Sequence, residues 1–134
     1  MANIQDIEGI GPAYAEKLGN AGVKTLADLL DKGASRGGRE ALVQATGMSD
    51  TLILKWVNRA DLDRIKGVGS EYADLLEASG VDSVSELAQR NAANLAAKMA
   101  EVNEQKSLVR RVPSEAEVED WVAHAKTLER AVFH

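Results

Sequence analysis

Residues 7–15 read Ile-Glu-Gly-Ile-Gly-Pro-Ala-Tyr-Ala, and the pattern returns 58 positions later, at residues 65–73, as Ile-Lys-Gly-Val-Gly-Ser-Glu-Tyr-Ala. The match runs on through Leu18 and Leu76, Gly22 and Gly80, Val23 and Val81, and Leu29 and Leu87, so a supersecondary unit is duplicated and not merely a glycine pair. Glycines flanking one apolar residue make a tight corner, and a helix starting just after it presents unpaired amides carrying partial positive charge. Such a corner either holds a phosphate or simply turns the chain.

The signals around the corners are helical. Asn3 and Asp61 occupy matched positions suited to cap a short first helix that ends at Gly9 or Gly67. Pro12 suits a first helical position, Gly22 and Gly80 suit helix C-termini, and Thr25 with Asp28 and Ser83 with Glu86 have capping-box spacing. A further match aligns Ser49 to Val57 with Ser114 to Val122 at a register of 65, which puts about seven extra residues near 103–111 in the second half. Ile53, Trp56, Val57 and Ala60 share one helical face, as do Val118, Trp121, Val122 and Ala125, so each Trp is expected to close the core of its own half. Tyr14 and Tyr72 are expected to be half-buried. No strand pattern competes, and the expected fold is all-α with repeats at 1–60 and 61–134.

Composition excludes several classes. The 134 residues are 45% apolar, enough for one core or two small fused ones, and carry a net charge of −5. No apolar run approaches a membrane span and the first residues lack a signal-peptide pattern, which points to a cytoplasmic protein. There is no cysteine, so disulfides, thiolate metal sites and cysteine nucleophiles are absent together. His124 and His134 have no metal-ligand spacing, the acids of 115–120 suit the first turns of a helix, and no nucleophile elbow or dinucleotide fingerprint occurs. The expectation is a non-enzyme without a cofactor or a small-molecule substrate.

Gly9-Ile10-Gly11-Pro12 with Ala15 and Leu18, and Gly67-Val68-Gly69-Ser70 with Ala73 and Leu76, resemble the helix-hairpin-helix motif of SAM-like helical bundles. The whole arrangement, with Trp56 to Leu62 between the hairpins and Val112-Pro113-Ser114 leading to Trp121, resembles a bacterial family catalogued only as a domain of unknown function. The hairpin resemblance implies sequence-independent grip on nucleic-acid backbones through hairpin amides, in some members with a monovalent cation on hairpin carbonyls. Carried onto this chain, it implies amide donors at Gly9, Gly11 and Ala13, and at Gly67, Gly69, Ser70 and Glu71, with Ile10 and Val68 as packing plugs and Lys17 and Lys66 as the nearest cations.

Charge is distributed against that role. Residues 3–31 hold two cations and five acids, residues 61–89 two and seven, whereas residues 32–60 hold five cations (Lys32, Arg36, Arg39, Lys55 and Arg59) and two acids. Lys106, Arg110 and Arg111 form a second basic group, with Lys106 and Arg110 on one face if that stretch is helical. Two readings stay open. In one, the hairpin amides bind phosphate while Lys32, Arg36, Arg39 and the Lys106 group supply charge. In the other, acidic hairpins and the aromatic surfaces meet a protein partner.

Overall fold

The computed structural model describes residues 4–7 and 9–133, and of Asp6 and Ser70 the backbone alone. The expectations placed on Asn3, Glu8 and His134 lie outside the described residues. Among those residues the chain is all-α: a 3₁₀ turn at Ile4–Asp6, then α1 (Pro12–Asn20), α2 (Leu26–Gly33), α3 (Arg36–Thr46), α4 (Asp50–Leu62), α5 (Ser70–Ala78), α6 (Val84–Ala88), α7 (Ala92–Lys106) and α8 (Glu115–Thr127). None of these helices is long and apolar enough to cross a membrane.

The fold divides into two compact units. The first is Met1–Asp61 with Ala131–His134, and the second is Leu62–Arg130. The first therefore recruits a segment that the expected boundaries assigned to the second repeat.

In the first unit, Leu18, Val23, Leu26, Leu29, Leu42, Ile53, Trp56 and Val57 form a core that Val132 joins from beyond α8. In the second, α6 and α7 both pack on α8 and α5 packs on α7, around Leu75, Leu76, Leu87, Leu95, Met99, Val118 and Trp121. Both tryptophans are core residues, at 2% and 3% exposure.

Of the two capping boxes that the spacing predicts, one is complete and one is half-made. Thr25 and Asp28 close a reciprocal capping box, as do Ser114 and Glu117. Ser83 accepts from the Glu86 amide, but the Glu86 carboxylate turns away to Arg90 Nε at 3.1 Å, so that box is half-made. α1 and α5 end alike. Gly22 and Gly80 have positive φ, and the amides of Val23 and Val81 reach back to the Leu18 and Leu76 carbonyls, both at 2.8 Å.

Two expectations change. No new helix starts at Asp61: it sits in the last turn of α4, because the apolar stripe of Ile53, Trp56, Val57 and Ala60 carries that helix on to Leu62. The extra length of the second half is also finer than one insertion. The caps of α2 and α3, Thr25 and Ser35, stand ten residues apart, and those of α6 and α7, Ser83 and Asn91, stand eight apart. The surplus lies further on, in the longer α7 and the loop to Ser114, where Asn103 exchanges two hydrogen bonds with the main chain of Val109 (3.2 and 2.9 Å).

Candidate functional site: two glycine corners

Each corner is built from two successive tight turns. The Ile7 amide bonds the Ile4 carbonyl and the Ile10 amide that of Ile7 (3.1 and 3.2 Å); Ile65 to Leu62 and Val68 to Ile65 repeat this at 3.1 Å each. Three apolar side chains per corner, Ile4, Ile7 and Ile10 or Leu62, Ile65 and Val68, thereby point inward and are buried. Ile10 and Val68, expected to be packing residues, are each 4% exposed.

Gly9 and Gly67 take φ of 97° and 92°, a conformation that an L side chain enters only under strain. Behind each lies a tryptophan: a β-carbon at Gly9 would stand 3.7 Å from Trp56 Nε1, and one at Gly67 3.2 Å from Trp121 Nε1. Tyr14 packs edge-on against Trp56 (centroids 5.4 Å apart, 61° between planes) and Tyr72 tilts against Trp121 at 5.3 Å. Aromatic pairs thus brace both helix starts.

Gly11 and Gly69 differ in kind. Each is the N-cap of its helix, with extended backbone (φ −85° and −94°) open to any residue, and a β-carbon there would meet nothing within 4 Å. Among the described residues, neither helix start has a side-chain cap. By contrast Thr25, Ser35, Ser49, Ser83, Asn91 and Ser114 each place a side-chain oxygen on a first-turn amide of their helix. Gly9, Gly11, Ala13, Gly67, Gly69 and Glu71 are all exposed, and the Ser70 backbone opens α5 beside them.

The expected cations scatter. Lys17 is exposed in the last turn of α1, its ammonium 6.0 Å from the Tyr14 ring centroid. Lys66 is exposed at the second corner, where its amide donates to His124 Nδ1 at 3.2 Å. Lys32 lies instead at the far end of α1, its Cε and Nζ 3.3 and 3.4 Å from where a Gly22 β-carbon would be. Arg90 takes the matching place in the second unit, with Nη2 on the Gly80 carbonyl at 3.0 Å. Both cations face a helix C-terminus, where the dipole favours them.

Arg36 is exposed and near Glu40 at 3.9 Å, on an open cleft of about 350 Å³ shared with Asp50, Thr51 and Leu54. Arg39, expected on the surface, is only 7% exposed. Its guanidinium donates to the carbonyls of Gly33 (2.8 Å), Ala34 (3.1 Å) and Phe133 (2.6 Å), so its charge is spent inside the first unit.

The second basic group stands closer to its corner. The Tyr72 hydroxyl, in the first turns of α5, donates to the Arg111 carbonyl at 3.0 Å and ties the loop after α7 to that helix start. Arg111 forks onto Glu117 (2.7 and 2.9 Å), which holds the Glu117 carboxyl down to about 2 with help from the Ser114 amide, and raises the Arg111 guanidinium above its ordinary value. Lys106 and Arg110 are exposed but share no helical face, because α7 stops at Lys106 and Ser107 turns left-handed at φ 51°.

His124 is a residue whose part here sequence spacing did not disclose. It and Arg64, whose Nη2 meets the Glu129 carbonyl at 2.8 Å, fasten the approach to the second corner onto α8 and the residues after it. Among the described residues, no three His, Asp or Glu side chains gather closely enough to hold a metal ion.

A search of curated proteins and one of solved structures found no match. A family model matches residues 8–128, a stretch that includes both glycine pairs and α1 to α8, and on that match the chain belongs to the family described as Domain of unknown function (DUF4332).

Proposed function

We infer that this protein is a non-catalytic module that binds nucleic-acid backbones without regard to sequence, through the first-turn amides of α1 and α5. One observation carries the reading. Six helix starts are capped by their own side chains, whereas the two at the glycine corners are left open by residues, Gly11 and Gly69, that neither backbone angle nor packing requires to be glycine. Open amides at a helix N-terminus, with no side chain to obstruct approach, are the arrangement that receives a phosphate oxygen. The cation placement favours the second corner, where Lys66 is exposed and Tyr72 holds the Arg111 main chain beside the start of α5, the Arg111 guanidinium itself being paired with Glu117. Lys32 and Arg39 supply no charge to the first corner in this reading, since they are committed to a helix end and to buried carbonyls. A monovalent cation on the corner carbonyls is compatible with it.

Titrating labelled duplex and single-stranded oligonucleotides at several salt concentrations tests the reading. Affinity is expected to fall steeply with salt and to vanish when Gly11 and Gly69 both become bulky. Flat curves at low salt would remove it. The burial of Arg39, together with the exposed acids Glu16 and Glu71, favours a second reading, a scaffold that meets a basic protein partner. Specific recovery of such a partner from cytoplasm, with no affinity for nucleic acid, is its expected signature.

A further inference from the structure

The first unit is completed by a segment from the other end of the sequence. α8 ends at Thr127, Leu128 continues in extended conformation (φ −89°, ψ 140°), and residues 131–133 enter the first unit. Val132 is 3% exposed within that unit's core. The Phe133 amide donates to the Ala34 carbonyl at 2.8 Å, and the Phe133 carbonyl accepts from Arg39 Nη2 at 2.6 Å. The Phe133 ring remains half-exposed. A buried apolar side chain and main-chain groups thus take part in seating the strap.

The seat is organised by residues 33–39. Arg39 is anchored through Nη1 on the Gly33 and Ala34 carbonyls, which aims its second nitrogen at the strap. A preorganised seat for an extended segment, joined to its own strap by only the short stretch after α8, has the form from which identical elements exchange between copies.

We propose that this seat is an interaction site for the same segment of a second copy of this chain, so that two molecules dimerise by trading residues 131–133. In the dilute protein the strap is in its own seat, because a short tether presents it at roughly millimolar effective concentration; exchange grows as protein concentration approaches that value.

The absence of cysteine permits a direct test. One chain carrying Ala34→Cys and another carrying Phe133→Cys are unfolded together, refolded together at high protein concentration and oxidised. The expected product is a disulfide-linked heterodimer several-fold more abundant than either homodimer, rising with protein concentration. Adding Val132→Asp to the Phe133→Cys chain is expected to lower it at least fivefold. A single chain with both substitutions reports whether the two cysteines bond when the strap is seated, which depends on their Cβ directions as well as on the main-chain contact; where they do not, the dimer fraction in sedimentation at high concentration, with and without Val132→Asp, is the readout. No excess of heterodimer beside an intrachain bond, or no dimer in sedimentation, overturns exchange, and a Val132→Asp chain as stable as the parent overturns the seat itself. No nucleic acid enters the experiment, so its outcome is independent of phosphate binding.

Discussion

Trp121 Nε1 stands 3.2 Å from the point where a β-carbon would project from Gly67, whereas Trp56 Nε1 stands 3.7 Å from the matching point at Gly9. The first distance is tighter than ordinary van der Waals contact and the second is not. Both glycines carry positive φ, so Gly9→Ala is expected to cost about 1–2 kcal/mol from backbone strain alone. Gly67→Ala is expected to cost more, because a buried indole must also shift. Chemical denaturation of the two single variants checks the order, and a larger loss at Gly9 would contradict it.

Gly11 and Gly69 invite the opposite experiment. An Asp at either N-cap finds open space and ordinary backbone angles, and its carboxylate caps the first-turn amides. Stability is expected to rise by about a few tenths of a kcal/mol per site, the usual advantage of Asp over Gly at an N-cap. The amides are then occupied and an anion beside them is repelled. Loss of oligonucleotide affinity with unchanged or higher melting temperature is the expected pair of results, a combination that damage to the fold does not produce.

Arg36 and Arg39 lie one turn apart on α3 and have opposite fates. Arg39→Met removes a charged donor from the carbonyls of Gly33, Ala34 and Phe133, and is expected to destabilise the protein by about 2–3 kcal/mol. Arg36→Met removes the same charge from the surface, and is expected to change stability by no more than about 0.5 kcal/mol. Equal effects in thermal melts would place the Arg39 guanidinium elsewhere.

Acid should act first through Glu117. Its carboxyl is held near 2 in the folded chain, chiefly by the Arg111 guanidinium, against an ordinary value of 4.5. A depressed folded value means that the unfolded chain takes up the proton first, so this contribution to stability is full above about pH 4.5 and is lost as pH falls towards 2. NMR titration of the Glu117 carboxyl should place its midpoint near 2. Arg111→Gln should move the midpoint upward and flatten the acid dependence of stability across that window.

The sequence by itself determined the elements whose causes are local. Thr25 and Asp28, Ser114 and Glu117, and the corner glycines act on amides three or four residues away or on their own backbone angles, so spacing along the chain is the interaction and the reader of a sequence sees it directly. The buried Trp56 and Trp121 were legible for the same reason, through the helical period of their apolar neighbours.

Tertiary structure decided what that spacing does not encode. Glu86 had two local partners within reach, its own cap and Arg90, and it bonds Arg90, which is itself held on the Gly80 carbonyl. Asp61 had a capping position, and the apolar stripe of α4 overran it. Arg39 looked like a surface cation because spacing does not mark the Gly33 and Ala34 carbonyls as its partners and the third, Phe133, lies 94 residues away, and Val132 gave no sign that it belonged to the first core. Local hydrogen bonds are set by the covalent chain, whereas a contact between distant residues exists only once burial of the core has brought them together, which is why the corners were readable and the strap that completes the first unit was not.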